Sequence, residues 1–355
     1  MYYLRDFMGE LSRNYEYPMI KQELPYFLST YSKVKEIETG GELSQYERLI
    51  LSLNDYVRVE QYTHYKVHKG YPSPRSIYPL KLFLVTYDEN HVSKNDRNGQ
   101  YEFYRNNCLD VSIGDIIIGF EDSYPQHYEY IKKSLLLLEM GHLLYNILFI
   151  AKEYGKRYTY RVLPNLGILL HAEDNTDNEY DEKNIEAFLQ SCQERNSGPY
   201  LYPLTPFKNE RAASAEIDEK MVYDLIFNFF SISEIRQAVS IQFYHNNGEG
   251  IYRKEDGHED IHYRQLNELY PYINFYGTSH FVIISLNHDV FRQGDSTPYL
   301  LMVGMIAQHI CLRYSSKERY CRPIKSFRIE EVEKVFSMNG TNQTPYYCLI
   351  AGDIE

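Results

Sequence analysis

Residues 135–155 read "LLLLEMGHLLYNILFIAKEYG" and residues 299–319 read "YLLMVGMIAQHICLRYSSKER". In the first stretch apolar side chains recur at Leu143, Leu144, Ile147, Leu148 and Ala151, the spacing that lines one face of an α-helix. Most of the other positions are apolar too, so each stretch predicts a largely buried helix and not an amphipathic surface one. Each has a glycine near its start, Gly141 or Gly304, and a polar residue five positions on, Asn146 or His309. Each is followed by a short segment holding a proline, "RYTYRVLPN" (157–165) or "RYCRPIKSF" (319–327).

The parallel continues upstream. "LKLFLVTYD" (80–88) and "AVSIQFYHN" (238–246) are rich in β-branched and aromatic residues and predict strands. Each leads through a turn to a restart, "RNGQYEFYRNN" (97–107) or "GEGIYRKEDGH" (248–258), and "SHFVIISLNHD" (279–289) adds a strand to the second half. The acidic, turn-prone stretch "HAEDNTDNEYDEKN" (171–184) has no apolar period and reads as part of a linker. The expected fold is α+β: a tandem of two similar repeats, each with a central buried helix on a mostly antiparallel sheet. The expected boundaries are an N-terminal extension at 1–30, a first repeat at 31–170, an acidic linker at 171–190 and a second repeat at 191–355.

Composition narrows the function classes. A length of 355 residues accommodates two domains, and 43% hydrophobic residues can build a core. A net charge of −12 argues against nucleic acid as a partner, since phosphate binding needs clustered Lys and Arg. No segment approaches the roughly 20 uninterrupted apolar residues of a membrane span. The start, "MYYLRDFMGELSRNYEYP", lacks the features of a signal peptide. Five scattered cysteines, odd in number and without a C-x-x-C, suit free thiols in a reducing cytoplasm.

One motif points elsewhere. "GHEDIHYRQ" (257–265) contains His258-Glu259-x-x-His262, the spelling of a zinc-hydrolase site in which two histidines one helical turn apart bind metal. That chemistry needs a helix with an apolar rear face, whereas Gly257 and the charged, turn-rich "RKEDGHED" predict a solvated loop. No metal site is expected.

Four segments carry a family resemblance. "YPSPRSIYPLKLFLV" (71–85) resembles the P-S-x-G-x-x-Y-P segment and following strand of nitroreductase-like flavoproteins, with Arg75 where glycine is usual. "LLEMGHLLYNILF" (137–149) is similar to the L-E-x-G-H-x-x-Q-N helix of the SagB/McbC-type branch, the azoline dehydrogenases of thiazole/oxazole-modified peptide and thiopeptide biosynthesis. There Glu139, Gly141, His142 and Asn146 match and Tyr145 replaces glutamine. "RNSG" (195–198) resembles the R-x-S start of a nitroreductase domain. "CRPIKSFRIEEVEKVF" resembles its closing Pro-Ile loop and helix, with "PYYCLIAG" as the final strand.

The resemblance implies an intrachain pseudo-dimer with one composite FMN site. Arg195 and Ser197 would hold the phosphate, Ser73 would reach the flavin from the other half, and Pro323, Ile324, Lys325 and Ser326 would present backbone amides to the ring. In the first repeat only Lys33 and Lys35 of "YSKVKEI" stand in for R-x-S, which implies that a second site has decayed. The implied reaction is oxidation of a thiazoline or oxazoline in a ribosomally made precursor peptide, with a cyclodehydratase and leader-binding proteins as partners. His127 and Tyr128 fall where the branch carries a Lys-Tyr pair, and Lys132 is an alternative amine. A flavin-free scaffold or peptide-binding subunit of the same fold stays open, as does homodimerisation.

Overall fold

The computed structural model describes residues 22–37, 43–60, 65–86, 90–95, 98–106, 108–173, 180–198, 237–246, 250–253, 261–262, 265, 278–287, 296–314, 318–325, 329–338 and 340–353. Chain contacts divide into an N-terminal unit, residues 23–126 and 142–193, and a C-terminal unit, residues 1–22, 127–141 and 194–355.

The N-terminal unit contains β1 (Ser32–Ile37), α1 (Gln45–Ser52), β2 (Tyr56–Val59), β3 (Val67–Lys69), β4 (Leu80–Val85), β5 (His91–Lys94), β6 (Tyr101–Arg105) and β7 (Ile116–Phe120). It also holds the C-terminal half of α2 (Lys132–Glu153), then β8 (Tyr158–Val162), β9 (Ile168–Ala172) and most of α3 (Glu182–Glu194). Seven strands form one antiparallel sheet in the order β1-β6-β5-β4-β7-β9-β8, and β2-β3 is a separate ribbon. β7, "IIIGF", lies between β4 and β9 and is buried at every position. Phe27 lies flat on it: a Cβ at Gly119 or Gly167 would come within 2.1 or 2.2 Å of its ring. The expected N-terminal extension therefore supplies a core residue.

The C-terminal unit contains β10 (Val239–Asn246), β11 (Gly250–Arg253), β12 (Ile261–His262), β13 (His280–Asn287), α4 (Thr297–Tyr314), β14 (Arg319–Ile324), α5 (Ile329–Val335) and β15 (Gln343–Asp353). Its six strands are antiparallel in the order β12-β11-β10-β13-β15-β14. Phe336 stacks on Phe281 at 5.2 Å and meets Tyr244 edge-on at 4.6 Å, closing the core over this sheet.

Remove β1 and the two sheets have the same topology in the same chain order. β4, β5, β6, β7, β9 and β8 stand where β10, β11, β12, β13, β15 and β14 stand, with a long helix, α2 or α4, inserted after the fourth strand. The repeats read from sequence are thus present as topology.

The two helices meet within the C-terminal unit. A Cβ on Gly141 would lie 2.2 Å from the Leu301 carbonyl oxygen, and one on Gly304 would lie 2.2 Å from that of Leu138. Each obstructing carbonyl is three residues before the facing glycine, so the crossing is symmetric in register. Only glycine allows backbones this close, and such contacts gain Cα–H···O interactions. α2 is long and apolar enough to cross a membrane, but its side chains are buried in the protein and it is a core helix.

Two expectations need correcting. The acidic linker 171–190 ends β9 and then enters α3, whose Ile185, Phe188 and Cys192 are buried, with Phe188 stacked on Phe149 at 4.1 Å. Its apolar stripe at i, i+3 and i+7 is diluted by acidic neighbours, which hid the helix. His262, expected in a loop, lies in strand β12 opposite Gly250, so the second histidine of the H-E-x-x-H motif is not helical. His258 and Glu259 lie outside the described residues. Among the described residues no cluster of three or more His, Cys, Asp or Glu could hold a metal ion.

Alanine at Gly141 or Gly304 must displace backbone, and each substitution is expected to cost about 3 kcal/mol in urea unfolding. Gly99, with φ +72° and open space around it, should lose only about 1 kcal/mol from its backbone conformation as alanine. Equal losses at the three positions would refute the close crossing.

Acid should unfold the protein early. Burial holds the His91 imidazole at about 4, and burial with His245 and Arg319 nearby holds His280 at about 3, against 6.5 in an exposed chain. Below 6.5 the unfolded chain binds protons that the folded protein refuses until about 4 and about 3. Stability therefore falls with pH, each histidine contributing a loss of about 2 kcal/mol by pH 5. Denaturant midpoints at pH 7 and pH 5 measure this, and His280→Asn should reduce the slope.

Candidate functional site

β14 is an edge strand, which lets it carry Pro323 without losing a ladder hydrogen bond. Its free edge is covered by Asn196, Ser197 and Gly198. The Cys321 amide donates to the Asn196 carbonyl at 2.9 Å, and the Gly198 amide donates to Asn196 Oδ1 at 2.8 Å, an Asx-type turn. Gly198 has φ +75°, and a Cβ there would lie 2.8 Å from the Tyr320 ring. Conformation and space both demand glycine. Arg322 completes the closure: Nε donates to the Ser197 carbonyl at 2.6 Å and Nη2 to the Gly198 carbonyl at 2.9 Å.

Arg195, just before this turn, is only 1% exposed, and its Nη1 donates to Ser197 Oγ at 3.0 Å. It is no ordinary surface arginine. Burial raises the Cys321 thiol pKa, the hydrogen bond to Cys311 adds to this, and Arg195 opposes it. Tyr347 is raised by burial, with Cys311 and Glu139 adding and Arg195 opposing. Glu139 of α2, Cys311 of α4, Cys321 of β14, Tyr347 of β15 and Arg195 thus share one buried environment.

The structure therefore brings the Arg195–Gly198 turn against Cys321 and Arg322 of β14, the strand that also carries Pro323 and Ile324 and is followed by Lys325. Pro323 and Ile324 are the last residues of β14, paired with Leu349 and Cys348, and not a loop as the resemblance implied. The Lys325 ammonium sits 3.9 Å from the centre of the Tyr346 ring. Ser326 lies outside the described residues. A guanidinium and a hydroxyl on one turn, whose carbonyls a second arginine clamps, are a donor set that fits a phosphate group.

Ser73 belongs to the N-terminal unit, where its Oγ accepts the Tyr78 amide at 2.9 Å. Arg75, Ser76 and Tyr78 in this segment have φ of +52°, +53° and +48°. The position where the resemblance expects glycine, Arg75, is thus in a left-handed conformation that glycine would adopt without strain. Tyr78 is anchored through its hydroxyl, which accepts the Lys69 amide at 3.0 Å. Lys69 is itself buried, its Nζ donating to Asn54 Oδ1 at 3.1 Å, with the Tyr56 ring centre 5.1 Å away.

His127 and Tyr128 lie on a short 3₁₀ turn in the C-terminal unit, with ring centres 4.3 Å apart. His127 is exposed, Tyr128 is buried, and Lys132 is half-buried at the first position of α2. Lys33 and Lys35 do not mirror Arg195 and Ser197. They lie on β1, at the opposite edge of its sheet from β8, the topological counterpart of β14. Lys33 pairs with Glu102 at 2.9 Å, and the Lys35 ammonium lies 4.5 Å from the Phe103 ring centre. Sequence reasoning missed Asn196, Gly198 and Arg322, although the Asn-Ser-Gly spelling is a turn signal. It also missed Lys69, which no local pattern marks.

Comparison of structures gives the architecture a name. A protein described as a candidate nitroreductase from Anabaena variabilis ATCC 29413 superposes with a TM-score of 0.66 at 11% identity, over 99% of this chain and 100% of that one. The chain has a nitroreductase-like fold. A nitroreductase family protein from Clostridium difficile 630 matches 46% of the chain and 82% of its own length, at 14% identity and a TM-score of 0.30. A further candidate nitroreductase, from Ralstonia eutropha JMP134, matches 56% of the chain and 94% of its own length, at 12% identity and a TM-score of 0.32. Both scores are too low to add weight. No family model and no curated protein matches the sequence. The nitroreductase-like fold expected from the Pro72–Pro79 and Glu139–Asn146 segments is thus present, and the match over both full lengths extends it to the whole tandem.

The packing around the Arg195 turn has a chemical signature. Cys192, Cys311, Cys321 and Cys348 are buried, and burial raises the Cys321 and Cys348 thiols, while Cys108 is exposed. Because the thiolate is the reactive form, a disulfide reagent should titrate Cys108 rapidly in the native protein and the remaining thiols only after unfolding. Fast native labelling at Cys321, read by peptide mass, would contradict a turn closed on β14.

Proposed function

We propose that the protein is a flavin-dependent oxidoreductase that binds FMN through the Arg195–Gly198 turn, and that its substrate is a thiazoline or oxazoline ring in a ribosomally made peptide. The observation that carries the cofactor reading is the convergence of Arg195, Ser197 and Arg322 of β14 on one turn of a nitroreductase-like fold. The azoline substrate rests on the Glu139-x-Gly141-His142 helix and the His127-Tyr128 pair. A cyclodehydratase and leader-binding proteins are the partners this substrate implies, and buried free thiols suit the cytoplasm.

Bound FMN would supply a hydride acceptor, the part of the chemistry no side chain can provide. The chain's own residues bind and orient. Arg195 and Ser197 would hold the phosphate by charge-assisted hydrogen bonds. Backbone amides near Lys325 would offer fixed donors to the ring without a titrating side chain. Aromatising an azoline removes one hydride and one proton. His127, which is exposed, would take the proton, with Tyr128 positioning it and Lys132 as the alternative amine. Since β8 has no arginine turn like that on β14 among the described residues, the expected load is one flavin per chain.

A second reading, a flavin-free scaffold or peptide-binding subunit, is favoured by the 1% exposure of Arg195, which leaves its guanidinium committed within the protein.

The visible spectrum of the purified protein separates the two. A stoichiometric flavin band that is lost in Arg195→Ala supports the cofactor site. A colourless protein that takes up no added FMN supports the scaffold. With flavin bound, a synthetic thiazoline peptide should lose two hydrogens by mass. His127→Ala should slow that step by about 100-fold with the flavin retained, and unchanged turnover would remove His127 from the mechanism.

A further inference from the structure

We propose that Arg322 is a positioning residue of the cofactor site, acting through the turn it clamps; the inference rests on the FMN reading above. Its two donors come from one planar guanidinium and engage successive carbonyls, Ser197 at 2.6 Å and Gly198 at 2.9 Å. Two parallel contacts on consecutive peptides fix the plane of each, which a single flexible donor cannot do. The other anchors, Cys321 N–H to the Asn196 carbonyl and Gly198 N–H to Asn196 Oδ1, hold the first residue of the turn. Arg322 alone among these contacts reaches the carbonyl of Ser197. That residue's hydroxyl accepts from Arg195 at 3.0 Å, so the clamp sets where the hydroxyl and the buried guanidinium meet.

The position also follows from the fold. Arg322 precedes Pro323 on the edge strand β14, and Tyr320, two residues back, packs against Gly198. Alternate side chains of one strand thus grip the same turn from one side. Arg322 makes no claim on the reacting atoms. Its role is to keep the phosphate donors in register before an anion arrives, so that the cofactor does not have to order the turn itself.

Two variants test this. Arg322→Lys keeps the charge and loses the fork; Arg322→Gln loses both. FMN affinity is read by titration of free-FMN fluorescence, and local order by hydrogen exchange at the Gly198 and Cys321 amides, each beside the melting temperature of the flavin-free protein. The expected result is affinity weakened about tenfold in Arg322→Lys and more in Arg322→Gln. Exchange should be faster at those two amides, with the β13 and β15 amides unchanged. Wild-type affinity in Arg322→Lys would mean that charge alone matters and would overturn the clamp. Faster exchange throughout β13 and β15 with a lowered melting temperature would make Arg322 merely structural and would overturn it too. If the wild-type protein takes up no FMN, the cofactor reading itself fails and the inference goes with it. Failure of the inference alone appears only in the ratio of variant to wild type.

Discussion

The close approach of Gly141 and Gly304 is the constraint on which the rest of the structure depends. Two helices that are apolar nearly all round cannot sit on a protein surface, and each must be enclosed. Crossing at glycine lets the backbones touch, with Leu301 and Leu138 carbonyls where side chains would otherwise stand. Because the glycines hold equivalent places in helices of equivalent topology, one small residue type at one repeat position solves the packing for both. A side chain at either position would push the axes apart and open the most buried part of the C-terminal unit.

Placement of the candidate site follows from the sheet on that core. Inserting a helix after the fourth strand sends the next strand to the far edge of the sheet, as β14 in one unit and β8 in the other. An edge strand exposes backbone donors that need covering. In the C-terminal unit the cover is the Asn196–Gly198 turn, and the same coverage brings Ser197 against Arg322 of β14, with Arg195 just before it. The N-terminal sheet treats its edge differently: Tyr158 of β8 shares a hydrogen bond with Tyr46 of α1 at 3.0 Å. Identical topology thus carries a polar, cationic turn at one edge and a tyrosine pair at the other.

Much of the architecture was legible because it depends on periodicity and repetition. The buried helices showed in Leu143 to Ala151, the strands in runs such as "LKLFLV" and "HFVIIS", and the duplication in their order. What was hidden depends on contacts distant in sequence. Nothing near Arg322 shows that its guanidinium meets residues 197 and 198, since 124 residues separate it from Gly198. α3 was hidden because Ile185, Phe188 and Cys192 are outnumbered by acidic neighbours. Lys33 and Lys35 misled because proximity in sequence to a repeat's start was taken for equivalence, whereas the strand pairing of β1 puts them at the wrong edge.

Charge bears on how an acidic chain could hold the proposed phosphate site. The sequence carries a net charge of −12, which taken alone would repel a phosphate. Salt limits the reach of exposed charges to a Debye length of about 8 Å at physiological ionic strength, so the anion responds to its near neighbours. At the turn on β14 those include Arg195 and Arg322, with Glu139 as an acid acting in the same buried environment. An arginine keeps its charge when buried, so burying Arg195 carries a desolvation cost, against which its Nη1 donates to Ser197 Oγ. In the FMN reading a bound phosphate would add a negative charge beside that guanidinium. In the scaffold reading the same cost is met by the protein's own groups. The two readings therefore differ in a single physical quantity, the fraction of the Arg195 charge already neutralised before any ligand arrives.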